Sequence, residues 1–307
     1  MELVRGLGHF RERHLGGVVT LGTFDGLHLG HRALIGEAVA LAMRLGRPAL
    51  MLSFEPMPRE FLQPQSPPAR LTNFRERWRL LQRTGLAALC LMRFGARLRS
   101  MSGAAFIEML QASIRPEAVV VGYDFRFGRD GEASAATLRA AGQRLGFGVE
   151  VVAPVLVGGE RVSSSAVREA LAAGEMRRAA GLLGRPYAMR GRVVAGQRLG
   201  RELGYPTANL RLERRRVPLG GIFAVRVRGI GEAVREGVAS LGTRPTVGGV
   251  EPLLETHVFD FDGDLYGREL EVEFVQKIRD EAKFDGLEAL VAQMNMDARD
   301  ARRILAA

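Results

Sequence analysis

Val18-Val19-Thr20-Leu21-Gly22-Thr23-Phe24-Asp25-Gly26-Leu27-His28-Leu29-Gly30-His31 is the stretch on which the reading of the fold turns. Its β-branched and aliphatic opening predicts a buried parallel strand, the glycines stop that strand, and the amphipathic run from Arg32 to Leu45 predicts a helix. If the helix begins near Leu27, the three-residue spacing of His28 and His31 puts both imidazoles on one side of its first turn. There they stand beside the unpaired backbone N–H groups and positive end of the helix, where a phosphate is held. Gly22 and Gly26 let the backbone approach a nucleotide closely, and Gly30 leaves room between the histidines. Two imidazoles so placed can donate hydrogen bonds to a triphosphate as charge builds up in a transition state. A zinc site is a weaker reading, because no cysteine or further histidine lies nearby to complete a shell. The plain alternative for each histidine is a surface or core residue.

The 307 residues leave room for two domains of roughly 100 to 200 residues each. A hydrophobic share of 47% with 25% charged residues is that of a soluble globular protein and argues against disorder on a large scale. Met1 to Phe10 lacks the apolar core of a signal peptide, and no apolar run approaches the roughly 20 residues of a membrane span. The expectation is a cytoplasmic protein with no membrane partner. The one cysteine, Cys90, excludes an intrachain disulfide and reads as a small core residue of a strand at Leu86 to Met92.

The net charge of +10 invites a nucleic-acid reading. Residues 1–185 hold 25 arginines against 16 acids (+9), whereas 186–307 hold 17 arginines and 2 lysines against 18 acids (+1). A field of that sign suits a half that handles anionic substrates, and equally a nucleic-acid binder. No aromatic-basic RNA motif or helix-turn-helix pattern accompanies it, so small molecules rather than nucleic acid are the expected partners.

Outward from the opening stretch, strands and helices alternate. Ala49 to Phe54 reads as a strand ending in Glu55-Pro56-Met57-Pro58, Gln63 to Pro68 as a Pro-rich loop, and Asn73 to Thr84 as a helix. The Cys90 strand, a helix around Ser102 to Ala112 and a buried strand at Ala118 to Gly122 follow. Such alternation implies a Rossmann-like, doubly wound α/β sheet with its ligand crevice at the carboxyl ends of the strands. Both Gly22 to His31 and Gly122 to Gly128 fall at such ends.

Over residues 174 to 187 the alternation stops. Ala188 to Val194, Gly221 to Val227, Gly237 to Leu241, Leu253 to Phe261 and Leu270 to Val275 then read as antiparallel strands between glycine turns, enough for a small closed barrel. Gly286 to Leu305 reads as a final amphipathic helix. The expected domains are 1–185 and 186–307.

The second half carries its own informative stretch, from Gly191 to Asn209. Its glycine-rich loop, with Gly196 and Gly200, can wrap a polyphosphate in backbone N–H groups. Thr207 and Asn209, alternate residues of an extended segment, point the same way and offer hard oxygen ligands suited to Mg²⁺. Further on, Glu255 shares a strand face with Leu253, His257, Phe259 and Phe261, which places an acid on the apolar side. Buried acids are costly and are often functional; the plain alternative is an exposed acid at a strand end. His257 reads as packing.

Gly-Thr-Phe-Asp-Gly-Leu-His-Leu-Gly-His over residues 22–31 resembles the signature of the HxGH nucleotidyltransferases in the form used by flavin adenylyltransferases. Gly122-Tyr123-Asp124-Phe125-Arg126-Phe127-Gly128 resembles the same family's Gly-x-Asp-Phe-x-Phe-Gly, and Val162-Ser163-Ser164-Ser165-Ala166-Val167-Arg168 its Ile-Ser-Ser-Thr-x-Ile-Arg. The resemblance implies that Gly22, Phe24, Gly26, Ser164 and Ser165 bind the phosphates of ATP, with His28, His31 and Arg168 as donors. It also implies that Asp124, Phe125 and Phe127 meet a flavin, the alternative being phenylalanines that plug the core and serines that merely cap a helix.

Residues 191–209, with Pro206-Thr207-Ala208-Asn209, resemble riboflavin kinase, as do Gly221 to Val225, Gly242 to Thr246, Leu254 to Phe261 and Ile278 to Phe284. That resemblance makes Glu255 the base for riboflavin's terminal ribityl hydroxyl, Thr207 and Asn209 the Mg²⁺ ligands, and Arg279 a residue that covers the flavin. Together the halves resemble the bacterial bifunctional riboflavin kinase/FMN adenylyltransferase family over nearly all residues. They imply phosphorylation of riboflavin by ATP to FMN and adenylylation of FMN to FAD, in a monomer or weak homo-oligomer. Pro56-Met57-Pro58 departs from the family's Pro-His-Pro, and Arg129-Asp130-Gly131-Glu132 is shorter and less basic than its usual loop. The alternative is therefore a riboflavin kinase whose nucleotidyltransferase half is degenerate or retargeted.

Overall fold

Val18–Leu21 is buried along its whole length, and its two neighbours in the sheet decide where the first half can bind anything. The computed structural model of the chain describes residues 1–196, 203–246 and 249–307. It has two compact units, Met1–Pro68 with Arg77–Val162, and Ala69–Glu76 with Ser163–Ala307.

In the first unit the strands are β1 (Glu2–Arg5), β2 (Val18–Leu21), β3 (Ala49–Glu55), β4 (Ala88–Arg93), β5 (Ala118–Gly122), the short ladder β6 (Arg126–Phe127) and β7 (Ala133–Ser134), β8 (Gly148–Val152), and a second ladder β9 (Leu156–Val157) and β10 (Glu160–Arg161). Six of them form one parallel sheet in the order β1-β4-β3-β2-β5-β8. The chain leaves β2 toward β3 on one side and later returns to β5 on the other. The switch point therefore falls between β2 and β5, and the loops after both open side by side at their carboxyl ends. Val19, Val119 and Val121 are fully buried there, each contributing about 1.5–3 kcal/mol by removal from water. Cys90 lies in the same core. The edge strands β1 and β8 are absent from the sequence reading, because a four-residue run flanked by Glu2 and Arg5 and a half-exposed one carry little apolar pattern.

In the second unit the helices Ser164–Ala172 and Met176–Leu183 precede a closed barrel of β11 (Ala188–Val194), β12 (Ala208–Arg211), β13 (Gly221–Gly229), β14 (Gly231–Thr246), β15 (Gly249–Val258) and β16 (Glu269–Arg279). Every neighbouring pair is antiparallel, in the order β11-β12-β15-β14-β13-β16. Phe223 and Phe274 meet edge to face inside it, ring centroids 5.2 Å apart. The helix Leu287–Leu305, with Gly286 at its N-cap, lies on the outer face of the barrel, where Ala301 and Leu305 pack on Ala224 and Phe259.

The segment Ala69–Glu76 belongs to this second unit through buried polar bonds. Glu76 pairs with Arg214, accepts from the Arg190 N–H at 2.8 Å and from the Asn73 N–H at 2.8 Å. Arg214 also donates to the Leu71 carbonyl at 3.0 Å and the Tyr187 hydroxyl at 3.0 Å. Burial opposes its charge, but Tyr187 and Glu76 outweigh that and raise its pKa above the ordinary value.

Candidate active sites

The turn after β2 is held from behind. The Thr23 carbonyl accepts from Arg77 at 2.9 Å and from the Ser53 hydroxyl at 3.3 Å, and Arg77, itself buried, also reaches Glu55 at 3.3 Å. Phe24 (φ 51°), Gly26 (φ 81°) and Leu27 (φ 44°) all take left-handed backbone, a conformation only glycine adopts without cost. That strained, buried turn sets the two histidines. The helix starts at Leu29, not near Leu27, and His28 is its N-cap: its Nδ1 accepts the His31 N–H at 3.2 Å. An Nδ1 that accepts carries no proton, so a neutral His28 has its N–H at Nε2 and can donate only from there. The two rings stack 3.6 Å apart at 16°, and Phe24 lies 5.2 Å from His31. A Cβ at Gly30 would come within 3.3 Å of the His28 ring, and one at Gly22 within 3.1 Å of the Phe24 ring.

After β5, Asp124 pairs with Arg161, whose guanidinium lies 4.8 Å over the Tyr123 ring. Phe125 and Phe127 stack at 5.5 Å. Phe127 is a core residue, 5.6 Å from Phe106, while Phe125 is only half-buried. The short turn Arg129–Gly131 is followed by Glu132, which accepts from the Gly103 N–H at 2.8 Å and so caps the helix Gly103–Ile114. Met57 is buried and starts the helix Pro58–Leu62, with Glu60 accepting its N–H at 3.0 Å.

In the second unit Ser163 caps the helix Ser164–Ala172 by accepting the Ala166 N–H at 3.1 Å, which places Ser164 and Ser165 in its first turn. Arg168 is held by two carbonyls, Ala69 at 2.6 Å and Ser164 at 3.2 Å.

The barrel brings Asn209 of β12 opposite Glu255 of β15, and Glu255 opposite Ser240 of β14. Residues opposite one another share a face, so these three form a row. Their neighbours Leu210, Leu254 and Leu241 are fully buried and point the other way, into the barrel. The face with Glu255, His257 and Phe259 is therefore the outer one. It is apolar because the C-terminal helix covers it. Alternation shows which residues share a face, not which face is inside.

Glu255 and Thr207 line a cavity of about 310 Å³ with Arg279 and Asp297, walled by Ile222, Leu290 and Met294. Thr207 also lines a second cavity of about 200 Å³ with Asp262, Asp264 and Tyr266. Arg279 does not offer a free fork. It binds Asp297 through Nε at 2.9 Å and Nη2 at 2.6 Å, and the Asp280 carbonyl through Nη1 at 2.9 Å. Asp297 escaped the sequence reading, although its spacing with Ala301 and Leu305 puts an acid on the buried stripe of the last helix. His257 also does more than pack, donating from Nδ1 to the Pro206 carbonyl at 2.9 Å.

A Cβ at Gly196 would lie 2.4–2.7 Å from the amide atoms of Asn209, so only glycine lets the loop pass there. Gly200 lies outside the described residues. Thr207 and the largely buried Asn209 present a hydroxyl and an amide, neutral oxygens that fit an Mg²⁺ arriving with the charge of its phosphates. Among the described residues no group of three or more His, Cys, Asp or Glu could form a metal cage instead. Among them also, no helix is long and apolar enough to cross a membrane.

Residues 10–166 match the family model described as FAD synthetase, and residues 183–305 the model described as riboflavin kinase. A Pseudomonas fluorescens protein named bifunctional riboflavin kinase/FMN adenylyltransferase is 46% identical over 100% of this chain and 98% of its own. An Escherichia coli K12 protein of the same name is 41% identical over 98% and 97%. A crystal structure described as a macrolide-efflux protein from Streptococcus pneumoniae, 32% identical, matches with a TM-score of 0.84 over 98% of this chain and 99% of that one.

Proposed function

The chain belongs to the bifunctional riboflavin kinase/FMN adenylyltransferase family, and from that premise we propose which of its residues carry each step. It phosphorylates riboflavin with ATP to FMN, and adenylylates FMN with ATP to FAD and pyrophosphate. The reading in which only the kinase half acts is not favoured, since the FAD synthetase match covers the first half as well. We assign adenylylation to residues 1–185 and phosphorylation to 186–307, a division supported by family matches that end at 166 and begin at 183.

In the kinase step riboflavin occupies the larger cavity and the nucleotide the smaller one, because Thr207 lines both and Glu255 only the larger. That shared threonine is the observation that carries the assignment. Glu255 accepts the proton of the ribityl hydroxyl as the oxygen bonds to the γ-phosphorus and the bond to ADP breaks. Thr207 and Asn209 hold Mg²⁺, which neutralises phosphate charge when bound. We assign Gly196 and Gly200 to polyphosphate binding. Asp297 positions Arg279 at the wall of the flavin cavity.

For adenylylation an FMN phosphate oxygen bonds to the α-phosphorus of ATP and pyrophosphate leaves. Gly22, Phe24 and Gly26 shape the phosphate turn, and His28 Nε2 with His31 donates to the charge that develops. Ser164, Ser165 and Arg168 are assigned as further phosphate donors on the resemblance of residues 162–168 to the family's motif. Asp124 and Phe125 meet the flavin, and Phe127 supports Phe125 from the core. The protein acts on these small molecules as a monomer or weak oligomer in the cytoplasm, with no nucleic-acid partner.

The test supplies riboflavin, ATP and Mg²⁺ and separates the flavins by chromatography. Wild type yields FAD, and Glu255→Gln yields almost no FMN but converts supplied FMN to FAD. FMN formation unimpaired in Glu255→Gln overturns the base assignment.

A further inference from the structure

We propose that His257 is a positioning residue of the kinase step, holding the Pro206 carbonyl so that Thr207 stays aligned with Asn209 and Glu255; this rests on the roles assigned to those three residues above. The strand register shows why a tie is needed there. The ladder between β12 and β15 begins at Ala208 opposite Thr256, so Thr207 lies one residue beyond it and would face His257 if the pairing ran on. It does not run on, and Pro206 has no N–H with which to extend it. The His257 ring supplies the missing bond, from Nδ1 to the Pro206 carbonyl at 2.9 Å. A carbonyl only accepts, so the proton is on Nδ1, and this contact sets the tautomer.

The ring is also fixed in orientation. Tyr205 meets it edge-on at 5.0 Å and Phe259 at 5.8 Å, and the Tyr205 hydroxyl is bonded to Asn295 of the C-terminal helix. His257 is thus braced by both neighbours while it braces the residue before Thr207. It shares a strand and a face with Glu255, two residues away, and lines the same cavity. One side chain therefore ties the segment that holds the phosphates to the strand that bears the base. A group that orients a ligand-bearing segment affects the affinity of that segment for its own ligand.

The experiment uses the full chain with His257→Leu, which removes the donor, and His257→Asn, whose amide nitrogen can take the place of Nδ1. Thr207→Val is assayed beside them. Steady-state FMN formation gives kcat and KM for Mg-ATP and for riboflavin, calorimetry gives the affinity for Mg-ADP, and thermal unfolding gives Tm. His257→Leu raises the KM for Mg-ATP and weakens Mg-ADP binding by about tenfold to a hundredfold, more than it changes the riboflavin KM. His257→Asn recovers most of both losses at an unchanged Tm. Wild-type nucleotide parameters in His257→Leu beside an impaired Thr207→Val overturn this inference alone. Equal losses in the Leu and Asn variants with a lowered Tm overturn it too, leaving the ring a packing role. A fully active Thr207→Val overturns the site assignment and this inference with it.

Discussion

Asn209 and Glu255 stand directly opposite each other across β12 and β15, on the face of the barrel that the C-terminal helix partly covers. The amide assigned to the metal and the carboxylate assigned to the ribityl proton are therefore separated by one rung of a sheet, not by a flexible loop. Such a rung holds its two residues about 5 Å apart at Cα. Catalysis that consists mainly of positioning gains from that rigidity.

The close approach of Gly196 to the Asn209 amide makes the first prediction. In Gly196→Ala the new methyl displaces either the loop or the amide, because it would sit 2.4–2.7 Å from the amide atoms. The KM for Mg-ATP in FMN formation rises by about tenfold or more, as expected when a ligand-bearing group moves by a fraction of an ångström. A variant with wild-type nucleotide kinetics shows that the loop does not press on Asn209.

His28 has two separable duties, cap and donor. His28→Ala loses both, so the first unit is destabilised by about 1 kcal/mol and FAD formation falls by about 10²–10³. His28→Asn restores the cap and the thermal midpoint but not FAD formation. FMN still accumulates in both variants. Restored FAD synthesis in the asparagine variant means that the ring contributes only the cap.

Glu76 and Arg214 are buried as a pair, so removing one partner leaves the other charged and without its counter-ion. Arg214→Met and Glu76→Gln each lower stability by about 3–5 kcal/mol, and the double variant loses less than the two together. Urea unfolding of the four proteins measures the coupling. Additive losses would mean the two side chains do not stabilise each other.

Cys90 gives a pH dependence whose sign follows from burial. Desolvation pushes its thiol up to about 12, with a backbone bond to Gly6 opposing weakly. Unfolding lets the thiol ionise near its ordinary 9.0, so the unfolded state releases a proton that the folded state keeps. This contribution to stability is complete below about pH 9 and is lost as pH rises toward about 12. Cys90→Ala flattens that part of the profile, and in the native wild type the thiol resists alkylation at pH 8.

The strand, turn and helix from Val18 to Leu45 were legible because each signal is local: a β-branched run, two glycines and an amphipathic period. The family resemblance gave Asn209 and Glu255 their roles but not their row, since nothing in one strand names its neighbour. The buried place of Phe127 was open in the sequence, where an aromatic in a loop signals contact and core equally. Asp297 was readable from helical spacing and was missed. That Ala69–Glu76 joins the second unit was not readable, because Glu76 and Arg214 are 138 positions apart and no pattern in either segment points to the other.

That borrowed segment bears on ancestry and engineering alike. A cut at residue 185 would give a kinase piece with every residue assigned to phosphorylation, yet without the eight residues whose carboxylate and carbonyls surround Arg214. Recombination that treats the two activities as beads on a string must carry Ala69–Glu76 along, or replace Arg214 with an apolar residue. The chain's two chemistries can be separated on paper at a single peptide bond, but inheritance has to move them in four pieces.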